Sequence, residues 1–226
     1  MRSQAILQPL QNASTLKDRT LELVTDAILS GKIRPGERLN ESQLARELHV
    51  SRAPVREALQ RLQHQGLIAN VARRGMFVVE LDEDDIQKIN SLRVVLEAEA
   101  LRLARKHLTP VRKQALEALL RRMERPMATK VSMRVDFEFH RMVWSFSGNE
   151  YLENILSTLT AALFAHSVRS MIREDKLRMI LDSHRALFDY ICGRETRKSA
   201  EELMAVHLSL RYPDPLKYSG LERFTK

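Results

Sequence analysis

Apolar residues recur at helical spacing in three short stretches of the first third of the chain, which predicts three helices there. The first helix covers residues 16–30. Its inward positions are Leu21, Val24, Ala27 and Ile28. The second helix follows Asn40, a good N-cap residue, and we expect Gln43 to complete a capping box with it. The third begins at Ser51 and ends before Gly66, so only a short break separates the last two helices.

The third helix has two unlike faces. Val55, Leu59 and Leu62 follow one another at i, i+4 and i+7, which predicts a face buried in the core. Beside that face, Arg52 and Arg56 stand one turn apart near the start of the helix. Guanidinium groups presented from the first turns of a helix suit the DNA major groove, where they bind guanine edges or phosphates. Such a pair is common on amphipathic helices, so the two arginines on their own favour a plain solvated flank over a DNA contact.

The residues that follow favour the DNA interpretation. Residues 67–81 alternate between apolar and polar positions around the segment Ala72-Arg73-Arg74-Gly75, which predicts a β-hairpin with a basic tip. Helix, tight turn, helix and basic hairpin together predict a winged helix-turn-helix.

Beyond residue 81 the apolar pattern is helical, with no strand pattern and no internal repeat. Acidic residues 82–85 begin a long helix that ends near Lys106, and Thr109-Pro110 begins the next. The inward positions expected in the long helix are Ile86, Ile89, Leu92, Leu96 and Leu103. Further helices are expected at about 131–146, 151–171, 176–191 and 195–211, with Pro213 and Pro215 ending the last. The fold class is therefore mainly α, with an all-helical bundle of about six helices after the winged helix-turn-helix.

The break in pattern near residue 81 divides the chain into two expected domains. We assign residues 1–81 to the winged helix-turn-helix, with residues 1–14 as a mobile arm, and residues 82–226 to the helical bundle. The chain carries 37 lysines and arginines against 29 acidic residues, a formal net charge of +8. This balance suits a polyanionic partner such as DNA.

Cysteine usage and hydropathy indicate a cytoplasmic protein. Cys192 is the only cysteine, so no intrachain disulfide can form, and its apolar surroundings favour a core position over a nucleophile. No apolar run is long enough to cross a bilayer, and the N-terminal residues lack the pattern of a signal peptide. We therefore expect a soluble protein that works in the cytoplasm.

The motifs of the first domain resemble those of a known family. The segment SRAPVREALQRLQHQGLI followed by RRGMFVV is similar to the DNA-binding domain of GntR-type bacterial transcription regulators, and the similarity covers residues 16–81. In that family the start of the recognition helix and the glycine at the wing tip touch the operator. The resemblance implies contacts with double-stranded operator DNA by Ser51, Arg52, Arg56 and Gly75, and by Arg74 from its position beside the glycine.

Four polar residues of the bundle lie on otherwise apolar helix faces: Asp136, His140, His184 and His207. Asp136 and His140 are four residues apart and therefore share one face of their helix. A carboxylate on an apolar face is costly unless it is paired, and three imidazoles from three helices could supply the partner through a metal ion. The alternative is that the histidines are hydrogen-bonded core residues, as His166 could also be.

The order DFEFH, SHRALF and AVHLSL after a winged helix-turn-helix resembles the FCD domain of the FadR-like branch of the family. In the metal-binding members of that branch one aspartate and three histidines hold a metal. The resemblance therefore implies a ligand set of Asp136, His140, His184 and His207. Imidazole and carboxylate suit zinc and also accept nickel or manganese. The acyl-CoA-responsive member lacks this set, which disfavours a fatty-acyl effector.

The resemblance also implies an effector, a small organic acid or sugar acid, that binds at the metal. Arg93 matches an arginine of the first helix of the domain that can face the ligand, and its guanidinium fork would hold the effector carboxylate. The alternative, of equal weight, is that Arg93 pairs with Glu97 one turn away. Arg169 is a second candidate for contact with the effector.

The sequence thus indicates a bacterial transcription regulator rather than an enzyme: a repressor that binds operator DNA as a homodimer and responds to a small carboxylate. Two-fold symmetry would let two winged domains engage half-sites about one or more DNA turns apart. One alternative is a metal-dependent hydrolase with an accessory DNA-binding domain, although no HExxH or comparable motif is present. Another is a DNA architectural protein that has no effector.

Overall fold

The computed structural model describes residues 15–125, 129–167 and 174–210. Within these ranges it contains nine helices and one small antiparallel sheet, so the prediction of a mainly helical protein with a winged helix-turn-helix is confirmed. The arm expected at residues 1–14 and the helix stop expected at Pro213 and Pro215 lie outside the described residues.

Three helices and three short strands form the winged helix-turn-helix. The helices are α1 (Leu16–Leu29), α2 (Glu41–Glu47) and α3 (Arg52–His64). The strands are β1 (Arg38–Leu39), β2 (Ile68–Val71) and β3 (Gly75–Val78), in the sheet order β1-β3-β2. β2 and β3 make the expected hairpin. The sequence pattern does not predict β1, because two residues show no periodicity and the strand is defined only by its pairing with β3.

Capping explains where the two helices of the motif begin. The Asn40 side chain accepts hydrogen bonds from the backbone N–H groups of Ser42 and Gln43, which starts α2. The expected capping box is wrong, since the Gln43 amide donates to Glu47 instead. Ser51 is the N-cap of α3 by position, but its side chain makes no capping hydrogen bond. Its hydroxyl therefore stands at the exposed start of that helix.

The buried face of α3 is the one that its spacing predicts. Val55, Leu59 and Leu62 are fully buried. They pack with Val24 and Ile28 of α1 in one hydrophobic cluster. Burying each such side chain contributes about 1.5–3 kcal/mol, so α1 fixes the position of α3 and leaves the opposite face of α3 exposed.

Six helices form the bundle. They are α4 (Glu83–Lys106), α5 (Pro110–Met123), α6 (Thr129–Phe146), α7 (Glu150–Ser167), α8 (Glu174–Ile191) and α9 (Ala200–Ser209). α4 is central, since it packs against α6, α7, α8 and α9. α9 begins later than expected because Ser199 forms a capping box with Glu202. Within the described ranges, no helix has both the length and the apolar character needed to cross a membrane.

The buried face of α4 differs from the prediction. Leu92, which was expected to face inward, is 53% exposed, whereas Asn90, Arg93 and Glu97 are buried. A prediction from hydrophobic pattern places such polar residues on the outer surface. The buried face that it predicts is therefore turned about the helix axis from the observed one. The interior of the bundle therefore contains a polar layer that the apolar pattern cannot show.

Helix α7 packs the winged helix-turn-helix onto the bundle. Its Ala161 and Ala165 are buried in the same hydrophobic cluster as Val24 of α1. Gly66, which follows α3 with a φ of +74°, lies against the same helix: a Cβ added there would be 2.6 Å from the carbonyl oxygen of Thr158. The close approach of the two backbones therefore requires glycine at this position.

Gly66→Ala should lower the free energy of unfolding by more than Gly31→Ala. Both glycines have a φ of +74°, so alanine at either position costs about 1–2 kcal/mol of backbone strain. At Gly31 nothing lies within 4 Å of the added Cβ, whereas at Gly66 the methyl group meets the backbone of Thr158 and should cost a further ~1–3 kcal/mol. Urea unfolding measures both losses, and equal values would show that the contact with α7 is unimportant.

Candidate functional site

Four buried polar side chains meet inside the bundle. Asp136 and His140 come from α6, His184 from α8 and His207 from α9, and each of them is less than 5% exposed. Each offers one ligand atom, and these four atoms lie within 4.8 Å of one another. The structure therefore brings together the four residues that the sequence analysis singled out as metal ligands.

Two of the imidazoles are oriented by groups that can accept hydrogen bonds but cannot donate them. His140 Nδ1 donates to the Glu97 carboxylate at 2.6 Å, and His184 Nδ1 donates to the carbonyl oxygen of Ile180 at 2.8 Å. An ionised carboxylate and a carbonyl have no hydrogen to give, so Nδ1 of each ring carries the proton. In the neutral rings, Nε2 therefore presents a lone pair.

Ser183 orients His207 in the same way. The Ser183 hydroxyl donates to the Ile180 carbonyl oxygen at 2.6 Å, so its oxygen accepts from His207 Nδ1 at 2.8 Å. The Nε2 atom of His207 consequently also presents a lone pair to the centre of the cluster.

At the centre of the cluster, hydrogen-bond acceptors face one another. His140 Nε2 lies 3.0 Å from His207 Nε2, and His184 Nε2 lies 2.9 Å from Asp136 Oδ1. Lone pairs at such distances repel unless one of the two atoms is protonated or both bind the same metal ion. Neutral imidazoles with anchored outer nitrogens and one carboxylate form the donor set of a divalent metal site. The residues therefore fit a bound metal ion.

Glu97 forms a second polar layer behind His140. It is 2% exposed. Its Oε1 accepts from Arg93 Nε at 2.7 Å, and its Oε2 accepts from His140 and from the Trp144 indole, the latter at 3.2 Å. Burial raises the pKa of Glu97, but Arg93 and His140 outweigh burial and hold the pKa at about 2. Glu97 is therefore ionised at neutral pH, which lets it orient His140.

Arg93 is buried beside this layer. Its Nε binds Glu97 and its Nη1 donates to Asn90 Oδ1 at 3.2 Å. The ion pair with Glu97 is the alternative that the sequence left open beside contact with an effector. A guanidinium has five N–H donors and these contacts use two of them, so the pair does not prevent Arg93 from binding a ligand as well. Arg169, the second candidate, lies outside the described residues.

Sequence reasoning missed the residues that orient the histidines. Glu97 was considered only as a partner of Arg93, and it is 43 positions from His140, so no local pattern connects them. Ser183 precedes His184 directly but orients His207, which is 24 positions away. Only the folded arrangement of helices shows these contacts.

The exposed face of α3 carries the predicted DNA-binding residues. The side chains of Arg52 and Arg56 are 61% and 55% exposed, and each guanidinium lies 3.3 Å from the carboxylate of Glu41 at the start of α2. Ser51 is exposed at the start of α3. These residues form one continuous surface of the helix-turn-helix, in which Glu41 holds both arginines.

Arg74 and Gly75 lie at the tip of the wing. Arg74 is exposed, with its guanidinium carbon 5.2 Å from the centre of the Phe77 ring. Gly75 has a φ of +99°, and a Cβ added there would be 3.5 Å from Nε of Arg38. Arg38 therefore extends the basic surface of the wing. Sequence analysis missed this residue because it lies on the two-residue strand β1.

A winged helix-turn-helix packed on a helical bundle defines a class of DNA-binding regulators, and comparison with family models identifies the family. Residues 16–78 match the model described as bacterial regulatory proteins, gntR family, and residues 88–210 match the FCD domain. The FCD match alone covers more than half of the 226-residue chain. The chain belongs to the GntR family of transcription regulators, with an FCD domain after its DNA-binding domain.

Individual relatives agree with this assignment. The chain is 31% identical over 182 residues to the Nta operon transcriptional regulator of Aminobacter aminovorans, which covers 78% of this chain and 84% of that protein. It is 29% identical over 189 residues to the gluconate operon transcriptional repressor of Bacillus subtilis (strain 168), which covers 80% and 76%. Relatives of this chain are transcription regulators, and GntR regulators bind operator DNA and are typically dimeric.

A solved structure shares the fold. The E. coli McbR/YncC structure aligns with a TM-score of 0.67 at 22% sequence identity, and the alignment covers 87% of this chain and 93% of that one. The similarity extends over both the winged helix-turn-helix and the bundle.

Glu97→Gln should destabilise the protein strongly. The amide leaves the buried Arg93 guanidinium without its counter-charge, and breaking a buried pair in this way costs about 3–5 kcal/mol. Glu99→Gln is the matched control, because Glu99 pairs with Arg102 at the surface with its side chain 50% exposed and should lose at most ~1 kcal/mol. Urea unfolding of both variants measures the difference. A loss as small as that of the control would show that Glu97 does not hold this layer together.

Proposed function

We propose that the protein is a homodimeric repressor whose operator binding responds to a small carboxylate held at a metal centre in its helical domain. The observation that carries this proposal is the cluster of three imidazoles and one carboxylate, whose ligand atoms all lie within 4.8 Å of one another. The anchoring of each outer ring nitrogen supports a binding role for the cluster, since metal-ligating histidines ordinarily have such partners.

The ligands of the metal ion would be Asp136, His140, His184 and His207. This set suits zinc and also accepts nickel or manganese. A bound divalent ion supplies positive charge that attracts an effector oxygen. Because the ligands belong to α6, α8 and α9, a bound ion would join three helices of the bundle.

Asn90 and Arg93 supply polar groups suited to an effector. Asn90 is fully buried, and its Nδ2 has no acceptor within the described ranges. A buried N–H without an acceptor costs about 1–3 kcal/mol, and an effector oxygen would remove that cost. Arg93 adds guanidinium donors, and Arg169 stays a second candidate for this role. We infer a small organic acid or sugar acid, whose carboxylate and hydroxyl oxygens match these donors.

Double-stranded operator DNA would be read by α3 and the wing. Ser51, Arg52 and Arg56 stand at the exposed start of α3, from which guanidinium groups reach base edges in the major groove. Arg74 and Gly75 would contact the DNA beside them from the tip of the wing. In a two-fold dimer, two such surfaces would meet half-sites one or more DNA turns apart.

The packing of α7 supports communication between the effector site and the DNA-binding surface. An effector changes operator affinity only if it prefers one arrangement of the protein over another. Since Ala161 and Ala165 of α7 belong to the core of the winged domain, a shift of the bundle helices would change the position of α3. The name of the Bacillus relative, a gluconate operon repressor, supports repression as the outcome.

Arg52→Ala and Arg56→Ala should each weaken operator binding without changing the fold, because both side chains are exposed and lie outside the α3 core. Loss of a base contact should cost about 1–3 kcal/mol and relax specificity at one position, whereas loss of a phosphate contact weakens binding to all sequences alike. Gel-shift titrations on duplexes selected from a random pool measure both effects.

Arg121→Ala is the control for these variants, since Arg121 is an exposed arginine of the helical domain. It should bind the selected duplexes as the wild type does. Wild-type affinity in both α3 variants would remove the recognition-helix assignment.

His184→Ala should lower metal occupancy and effector affinity together, because the imidazole would be both a ligand of the metal and part of the effector site. Operator binding without effector should persist, since α3 and the wing are unchanged. Metal analysis of the purified protein, calorimetry with a panel of sugar acids and dicarboxylic acids, and gel shifts measure these properties.

His166→Ala is the matched control, a half-buried histidine of α7 outside the cluster, and should retain metal and effector binding. If wild-type protein never exposed to chelator contains no metal, and His184→Ala still responds to an acid as the wild type does, the metal centre is excluded.

A further inference from the structure

A cleft lies where the winged helix-turn-helix meets the bundle. Its volume is 730 Å³, within the range of about 300–1,000 Å³ that is usual for small-molecule sites. One wall comes from α1, the end of α3 and the turn after it, and the other comes from α6 and α7. The four cluster residues do not line it, so the cleft is separate from the metal centre.

The floor of the cleft is apolar and aromatic. The ring centroids of Phe137 and Phe164 are 3.9 Å apart, and Leu67 and Ala161 beside them are buried. Apolar surface of this kind suits the hydrocarbon or aromatic part of a ligand. The floor is formed by both parts of the protein, since Leu67 follows α3 and the other three residues belong to α6 and α7.

The rim of the cleft carries more basic than acidic groups. It contains Arg61, His64 and Arg141 against a single acid, Glu153. Arg61 is already paired with Asp18 at 3.1 Å. The contacts of Arg141 therefore decide whether the cleft can bind a negatively charged ligand.

The Arg141 guanidinium stands over the aromatic floor. Its central carbon is 5.8 Å from the centre of the Phe137 ring. It is exposed, and it forms no ion pair with a carboxylate of the residues that the structure describes. A guanidinium fork matches the two oxygens of a carboxylate, and charge-assisted bonds of this kind are stronger than those between neutral groups.

We propose that this cleft is a second ligand site, which binds a small carboxylate with an aromatic or short hydrocarbon body. The body lies on Phe137 and Phe164, and the carboxylate binds Arg141. The ligand contacts the winged domain and the bundle together, so it stabilises the arrangement of the two parts that it fits best.

Helix α6 connects this site to the metal centre. Asp136 and His140 enter the cluster, while the adjacent Phe137 and Arg141 line the cleft. A displacement of α6 by either ligand therefore changes the other site, and the coupling between two binding equilibria is reciprocal.

The test uses 3-phenylpropionate as the probe and its neutral analogue 3-phenylpropanamide as the matched control ligand. Calorimetry on the full-length protein should show saturable binding of the acid and at least ten-fold weaker binding of the amide, because the amide lacks the charge that Arg141 binds. Arg141→Gln should weaken binding of the acid at least ten-fold, whereas Arg121→Gln, at an exposed arginine outside the cleft, should not change it.

Two further variants locate the probe. Ser157→Phe, which places a ring in the cleft from α7, should abolish binding while urea unfolding shows that the protein remains folded. His184→Ala should still bind the probe, with an affinity changed only through α6, since His184 does not line the cleft. Absence of binding to the wild type, or binding that survives Arg141→Gln and is lost in His184→Ala, would overturn the cleft site. The second result would assign the probe to the metal centre.

Discussion

The helical domain depends on the ion pair and hydrogen bonds that the buried, ionised carboxylate of Glu97 accepts. Glu97 lies on α4, the helix that packs against α6, α7, α8 and α9, and it accepts from Arg93, His140 and Trp144. A buried charge is unfavourable alone, and here the donors of two helices keep it ionised. His140 in turn presents Nε2 to the cluster because its Nδ1 proton is committed to Glu97. The orientation of one of the three imidazoles is thus set by a charged residue outside the cluster.

The sequence predicts those parts of the fold that local interactions determine. Asn40 and Thr109 cap the helices that follow them, and the spacing of Val55 and Leu59 identifies the buried face of α3. Strand β1 was missed because it exists only through pairing with β3. The face of α4 was misassigned, with Leu92 placed inward, because a buried polar layer reverses the relation between polarity and exposure on which a hydrophobic pattern relies.

In the candidate site, too, local spacing could be predicted from the sequence and tertiary contacts could not. Asp136 and His140 share a helix face by spacing alone, so their proximity could be predicted from the residues. Their meeting with histidines of α8 and α9 depends on the packing of separate helices. The apolar helix faces left it open beside core histidines, and the family resemblance favoured it. The hydrogen bonds of Glu97 and Ser183 with these rings depend on side-chain directions at distant positions, which no sequence pattern contains.

Glu41 has a consequence for how the protein searches DNA. Its carboxylate pairs with both Arg52 and Arg56, and an arginine that turns toward a phosphate leaves that negative charge near the polyanion. On DNA of arbitrary sequence, only contacts with phosphates would compensate for the lost ion pairs with Glu41 and for the repulsion between Glu41 and the phosphates. On the operator, the base contacts proposed for these arginines would add to the phosphate contacts. If Arg52 and Arg56 bind DNA as proposed, this one acidic side chain would lower the affinity for DNA of every sequence, so that the protein would leave arbitrary DNA more readily.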